Sequence, residues 1–199
     1  LTITGVNDAP ILAVIDNVAF DEDGSETRDI SATDIDEDVL SYTLTGGSDD
    51  TITGELTGTT ISFDSADNYN GSENFTVSVT DGELTDSQTF TVTVNAVNDA
   101  PVAADGITAT TSEGSSVTVQ LSATDVDEDI LTYTLLANSE NGSVVISGSN
   151  ATYTPNDYFN GSDSFSFEVS DGSLTDDAIV SLTITGVNDA PILAVIDNV

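Results

Sequence analysis

Apolar and polar residues alternate along most of this chain. Phe75, Val77 and Val79 are separated by Thr76 and Ser78, and Phe90, Val92 and Val94 by Thr91 and Thr93. The same rhythm returns at Phe165, Phe167 and Val169, and again at Val180, Leu182 and Ile184. A period of two places one face in a core and the Ser/Thr face in water, so these segments predict half-buried β-strands. Turn signals separate them at short spacing: Asn-Gly at 70–71, 141–142 and 160–161, and Asp-Gly at 23–24, 81–82, 105–106 and 171–172. No segment carries a sustained helical period.

The pattern is itself repeated. VNDAP stands at 6–10, 97–101 and 187–191. SATDIDEDVLSYTL (31–44) answers SATDVDEDILTYTL (122–135), and NGSENFTVSVTDGELTD (70–86) answers NGSDSFSFEVSDGSLTD (160–176). The chain therefore reads as two units of about 90 residues, each with about seven short strands, the pattern of an immunoglobulin-like sandwich. A second period is longer: residues 182–199 repeat residues 1–18 without a difference. The expected division is 1–6 as the last strand of a preceding repeat, 7–97 and 98–187 as two repeats, and 188–199 as the start of a third. In that division the final ILAVIDNV is a first strand without its domain.

Charge changes the picture. Thirty-six acidic residues face one basic residue, Arg28, with no histidine, for a formal net charge of −35. Self-repulsion on that scale opposes compaction. With 38 % apolar residues in regular alternation, disorder is the weaker answer, and a cation supplied from outside is the stronger one. Nucleic acid and anionic membrane surfaces are excluded as partners, since both need Lys and Arg. No stretch has the ~20 apolar residues of a membrane span, so no direct membrane insertion is expected. The absence of cysteine removes disulfides and thiolate metal sites.

The acids cluster. Asp34, Asp36 and Asp38 lie in DIDED, and Asp125, Asp127 and Asp129 in DVDED. Residues i and i+2 of an extended segment point the same way, so Asp34 and Asp36 present two carboxylates together. That arrangement is unfavourable alone and a ligand set for a hard divalent cation such as calcium. Asn-Asp in VNDAP adds an amide oxygen and a carboxylate. The loops are not EF-hands: the sixth position is Val39 or Ile130 where glycine is needed, and the twelfth is Thr45 or Leu136 where glutamate is needed. Each aspartate taken singly is also a turn former, and Asp-Gly at 81–82 and 171–172 serves a hairpin without metal.

Four features together resemble bacterial cadherin-like tandem repeats: a Glu early in each unit (Glu22 in FDEDGSE, Glu113 in TSEGSS), the DxD, DGxL after a strand, and the Asn-Asp linker. Such repeats occur in very large secreted adhesins, including the RTX type exported by type I secretion. The resemblance implies Ca²⁺ at the junctions between consecutive sandwiches, an extracellular location at the cell surface, and partners that are adjacent repeats of the same chain. It implies one full ligand set: Glu22 and Asp81 from the first unit, Asn98 and Asp99 from the linker, Asp125 and Asp127 from the second. Asn7, Asp8, Asp34 and Asp36 would form one half-site, and Glu113, Asp171, Asn188 and Asp189 the other. The xDRE-type motif of vertebrate cadherins is missing, with DGELTD and DGSLTD in its place. Asp86 and Asp176 are secondary candidates.

The function expected from these readings is a stiff, calcium-dependent stalk that projects a distal binding domain. The alternative is a module that itself binds polysaccharide or a like domain. Tyr69, Tyr158 and Phe159, near loops, would be the aromatics for a sugar platform, or would plug the sandwich end. Catalysis is disfavoured, because the acids recur at equivalent positions and there is no His, Cys or Lys. The Asn-x-Ser/Thr triplets at Asn70, Asn74, Asn141, Asn150 and Asn160 read as turn and strand chemistry.

Overall fold

A computed structural model describes residues 5–48 and 50–190. They separate into two compact units, Leu1–Val97 and Asn98–Val199. No helix occurs among the described residues.

Unit 1 contains β1 (Ile11–Leu12), β2 (Val18–Asp21), β3 (Ser25–Asp29), β4 (Ala32–Thr33), β5 (Ser41–Gly46), β6 (Ile52–Thr57), β7 (Thr60–Ser65), β8 (Gly71–Thr80) and β9 (Thr85–Asn95). Seven of these are longer than two residues, and β1 and β4 form a two-residue antiparallel pair. One sheet runs β2-β9-β8-β5, with β2 parallel to β9; the other runs β3-β7-β6. Unit 2 repeats this order with β10 (Val102–Ala103), β11 (Thr108–Ser112), β12 (Val117–Gln120), β13 (Ala123–Thr124), β14 (Thr132–Ala137), β15 (Gly142–Ser147), β16 (Asn150–Pro155), β17 (Gly161–Ser170) and β18 (Thr175–Thr185). Its sheets are β11-β18-β17-β14 and β12-β16-β15, and β10 pairs with β13. Each unit is the all-β sandwich that the alternation calls for.

The alternating residues meet between the sheets. Phe75, Val77, Val79, Phe90, Val92 and Val94 from one sheet bury against Ile52, Ile61 and Phe63 from the other. The ring edge of Phe63 meets Phe75 at a centroid distance of 5.2 Å, a favourable aromatic geometry. In unit 2, Phe165, Phe167, Val169, Val180, Leu182 and Ile184 face Val144, Ala151 and Tyr153. Tyr153 occupies the place of Phe63. Its hydroxyl donates to Oδ2 of Asp163 at 2.9 Å, and Asp163 also accepts from the backbone of Glu140 and Asn141. Burial and then the Asp163 carboxylate push the phenol well above its usual range, so it stays a donor.

The middle hairpins turn at Gly58-Thr59 and Gly148-Ser149, where each glycine takes a left-handed φ (64° and 58°). The Asn-Gly steps have a different place: β8, β15 and β17 begin at Gly71, Gly142 and Gly161. At Gly142 a Cβ would stand 2.3 Å from the Tyr153 ring, so that position needs glycine for close approach.

Candidate metal centre

The aspartate loops leave the short strands β4 and β13 and fold back on themselves. Oδ1 of Asp34 accepts the N–H of Asp36 at 2.8 Å and of Asp38 at 3.4 Å. Asp125 accepts from Asp127 at 3.0 Å and Asp129 at 3.3 Å. Glu37 and Glu128 complete the turn with φ of 60° and 61°. In each loop, three carboxylates place oxygens within 4.8 Å of one another: Asp34, Asp36 and Asp38, and Asp125, Asp127 and Asp129. Asp38 and Asp129 join these carboxylate groups, although the expected ligand set left them out. Their signal was the third acid of the DxDxD spacing.

The linker is pinned to the same place. Oδ2 of Asp36 accepts the N–H of Asp8, and Oδ2 of Asp127 that of Asp99, both at 2.8 Å. Thus Asn7, Asp8, Asp34 and Asp36 come together at the pole where the chain enters unit 1. Asn98, Asp99, Asp125 and Asp127 do so at the same pole of unit 2.

Asp81 and Asp171 stand at these entry poles, not with Glu22 and Glu113. Oδ2 of Asp81 accepts from the Asn7 amide at 3.0 Å, and Oδ2 of Asp171 from the Asn98 amide at 2.8 Å. The placement follows from strand direction: β8 and β17 end where β5 and β14 begin, beside the aspartate loops. Oδ1 of each carboxylate accepts two backbone N–H groups of its own turn, Glu83 and Leu84 or Ser173 and Leu174. The Leu84 and Glu83 amides, then Asn7, hold Asp81 below the usual carboxylate range. The Asn98 amide, then Leu174 and Ser173, do the same for Asp171. Asp86 and Asp176 accept the backbone N–H of Leu12 (2.9 Å) and Ala103 (2.8 Å), so both fasten the first strand.

Glu22 and Glu113 lie at the opposite, exit poles. Glu22 is buried, and its Oε1 accepts the Val97 N–H at 2.5 Å. Oε2 of Glu113 accepts the Val187 N–H at 3.2 Å. Each glutamate therefore ties the departing chain to the strand beside it. Asn188 donates to its neighbour's carbonyl at Asp189, and Asp189 borders a recess with Glu113 and Tyr158. The remainder of the third repeat, ILAVIDNV at 192–199, lies outside the described residues.

The donor set fits a hard cation. Oδ2 of Asp34 and Oδ2 of Asp125 are each shielded from solvent and have no hydrogen-bond partner. A shielded carboxylate oxygen without a donor is unfavourable unless a charge compensates it. Asn7 and Asn98 commit their amide nitrogens to Asp81 and Asp171, which turns their amide oxygens away from those carboxylates. These groups all offer oxygen atoms, the donor type that calcium takes.

The architecture defines a class: tandem immunoglobulin- or cadherin-like sandwiches. The chain belongs to the bacterial Ig domain family, which it matches over residues 7–93 and 98–183. Domains of this family are typically non-enzymatic and are common in extracellular surface proteins. Among solved structures, the chain is similar to human protocadherin-24 EC1-2, form II, at 19 % identity, covering 93 % of this chain and 100 % of that one with a TM-score of 0.61. Another structure of human protocadherin-24 EC1-2 gives 16 % identity, 92 % and 100 % coverage, and a TM-score of 0.55. These likenesses establish the fold. An endo-fucoidan hydrolase of glycoside hydrolase family 107 matches at 21 % identity over 94 % of this chain with a TM-score of 0.39. The chain spans 30 % of that hydrolase's length, and the likeness bears on neither fold nor activity. No curated protein matches the chain. No helix among the described residues is long and apolar enough to cross a membrane.

Proposed function

We propose that the two units are calcium-rigidified extender repeats of a bacterial cell-surface adhesin, part of a longer array that projects a distal binding domain. The observation that carries this reading is the shielded, partnerless Oδ2 of Asp34, repeated at Asp125, in a chain of net charge −35. Asp8, Asp34 and Asp36 would hold calcium at one entry pole, with Asn7 giving an amide oxygen. Asp99, Asp125, Asp127 and Asn98 would do so at the other. Glu22, and likewise Glu113 with Asn188 and Asp189, would complete sites from the exit pole of the preceding repeat. Asp81 and Asp171 act here as positioning residues that orient the linker amides.

Calcium supplies the positive charge that lets these carboxylates stand together. Extracellular modules bind it with Kd of about 10⁻⁴–10⁻³ M, and at 100-fold above Kd each site adds about 2.7 kcal/mol. Against a domain stability of roughly 5–15 kcal/mol that is a large share. Without it, clustered carboxylates repel and the linker loosens. The chain then acts through stiffness rather than chemistry, and it has no enzymatic role. Export by a type I route and an RTX context follow from the resemblance alone.

Isothermal titration and small-angle scattering with and without chelator test the reading. Saturable heat and a stiffer chain in calcium are expected. No heat, with superimposable scattering profiles, would overturn it. In the alternative reading a unit binds polysaccharide or a like domain. Tyr69 and Phe159 are half-buried against the cores, which leaves Tyr158 as the aromatic such binding could use.

A further inference from the structure

Of the chain's seven phenylalanines and five tyrosines, only Tyr158 is exposed, at 69 %. Its backbone is left-handed, with φ of 61°, a region that bulky residues rarely occupy. The corresponding residue of unit 1 is Asn68, φ 55°, a type that tolerates this conformation. Unit 2 therefore carries a strained backbone in order to hold a large ring in water. A local outlier of this kind points to a contact outside the unit.

The repeats identify that contact. Tyr158 lines a recess with Glu113, Gly114, Val187 and Asp189 at the exit pole. Residues 186–190 repeat 5–9, so Asp189 is the counterpart of Asp8. In unit 1, Asp8 lines a cavity of about 550 Å³ at the entry pole, together with Ala9, Ile11, Thr33, Asp34 and Ile35. Ile11 and Ile35 are 68 % and 79 % exposed there. The aspartate of this repeated linker thus borders the aromatic at an exit pole as Asp189 and the apolar cavity at an entry pole as Asp8.

We propose that Tyr158 is the docking residue for the repeat that follows unit 2. In a repeat with the sequence of unit 1, the ring seats between the Ile11 and Ile35 positions, and its hydroxyl faces the Asp8 and Asp34 carboxylates. A phenol suits such a site, since its body is apolar and its tip donates. The inference rests on the array reading above. It also makes junctions of two kinds. Unit 1 carries Asn68, which donates its N–H to Asp23 at 3.1 Å, and the unit after it has the smaller Val102 and Val126 in place of Ile11 and Ile35.

The test extends the full 199-residue chain in frame with residues 19–97, so that the repeated eighteen residues run on into a complete unit. The chain has no tryptophan, and Tyr158→Trp places a single reporter. In calcium, Trp emission should move to the blue and acrylamide quenching should fall several-fold in the extended chain relative to the 199-residue chain. Replacing Ile35 by Asp in the added unit should reverse both. Tyr158→Asn, the unit 1 residue, should lower the melting temperature of the extended chain and leave that of the shorter chain unchanged or raised. Equal quenching in the two chains, or an equal effect of Tyr158→Asn on both, overturns the proposal. If calcium stiffens the extended chain while position 158 stays exposed, the docking inference fails and the calcium reading stands. If position 158 is buried with or without chelator and calcium binds nowhere, the reverse holds.

Discussion

The side-chain amide of Asn98 donates to Oδ2 of Asp171 at 2.8 Å, across 73 residues of chain. Asn7 and Asp81 make the same contact at 3.0 Å across 74. Each pair fastens an entering linker to the hairpin, distant in sequence, that turns at the same pole of that unit. The Asn98 amide, then the turn amides, hold Asp171 below the usual carboxylate range, and for Asp81 the turn amides of Leu84 and Glu83 lead and the Asn7 contact adds to them.

A pH dependence follows from that shift. A carboxyl with a lowered native pKa contributes stability above its unfolded value of about 3.9 and loses it as pH falls through the native value. The melting temperature difference between the parent and Asp171→Asn should therefore be constant from pH 7 to about 4 and shrink below that. Thermal melts in chelator at a series of pH values measure it.

Asp125→Asn should separate ion binding from folding. The amide can keep accepting the N–H groups of Asp127 and Asp129 through its oxygen, while the partnerless oxygen becomes an N–H₂ group. Calcium affinity at the unit 2 entry pole should fall about tenfold or more, since ligand charge sets affinity. Stability in chelator should change little or rise, because a repulsive charge is gone. Calorimetry and chelator melts on the same sample decide this.

The two cores predict that opposite substitutions at one equivalent position both destabilise. Tyr153→Phe removes a hydroxyl whose acceptor, Asp163, retains two backbone donors, and should cost about 0.5–1.5 kcal/mol. Phe63→Tyr would bury a hydroxyl where the matching acid, Glu73, is already bonded to Thr51. It should cost about 1–3 kcal/mol. Denaturant unfolding of both variants checks the pair.

Salt should substitute in part for the ion. At about 0.1 M the screening length is about 10 Å, shorter than the dimensions of a unit. In chelator, the melting temperature should rise between low salt and about 0.5 M sodium chloride. In saturating calcium the rise should be smaller. A melting temperature that falls with salt in chelator would show that self-repulsion is not what limits stability.

Strands, repeats and the loop acids were legible in the sequence because each depends on near neighbours. Alternation at Phe75, Val77 and Val79 names a buried face whatever the topology. The i, i+2 spacing of Asp34 and Asp36 brings their carboxylates together within one short segment. What alternation cannot name is the end of the sandwich at which a strand stops. Asp81 was therefore expected beside Glu22, and only the direction of β8 relative to β5 sets it beside Asn7. Asp86 and Asp176 were secondary ligand candidates for the same reason, and the fold spends them on the N–H groups of Leu12 and Ala103. The exposure of Tyr158 and the half-burial of Phe159, adjacent in sequence, were likewise beyond a linear reading, since the left-handed backbone at Tyr158 turns its ring outward while Phe159 packs against the core. The sequence by itself determined which residues are apolar, acidic and repeated. The tertiary structure decided which pole each acid occupies, because that depends on strand direction and pairing over more than seventy residues.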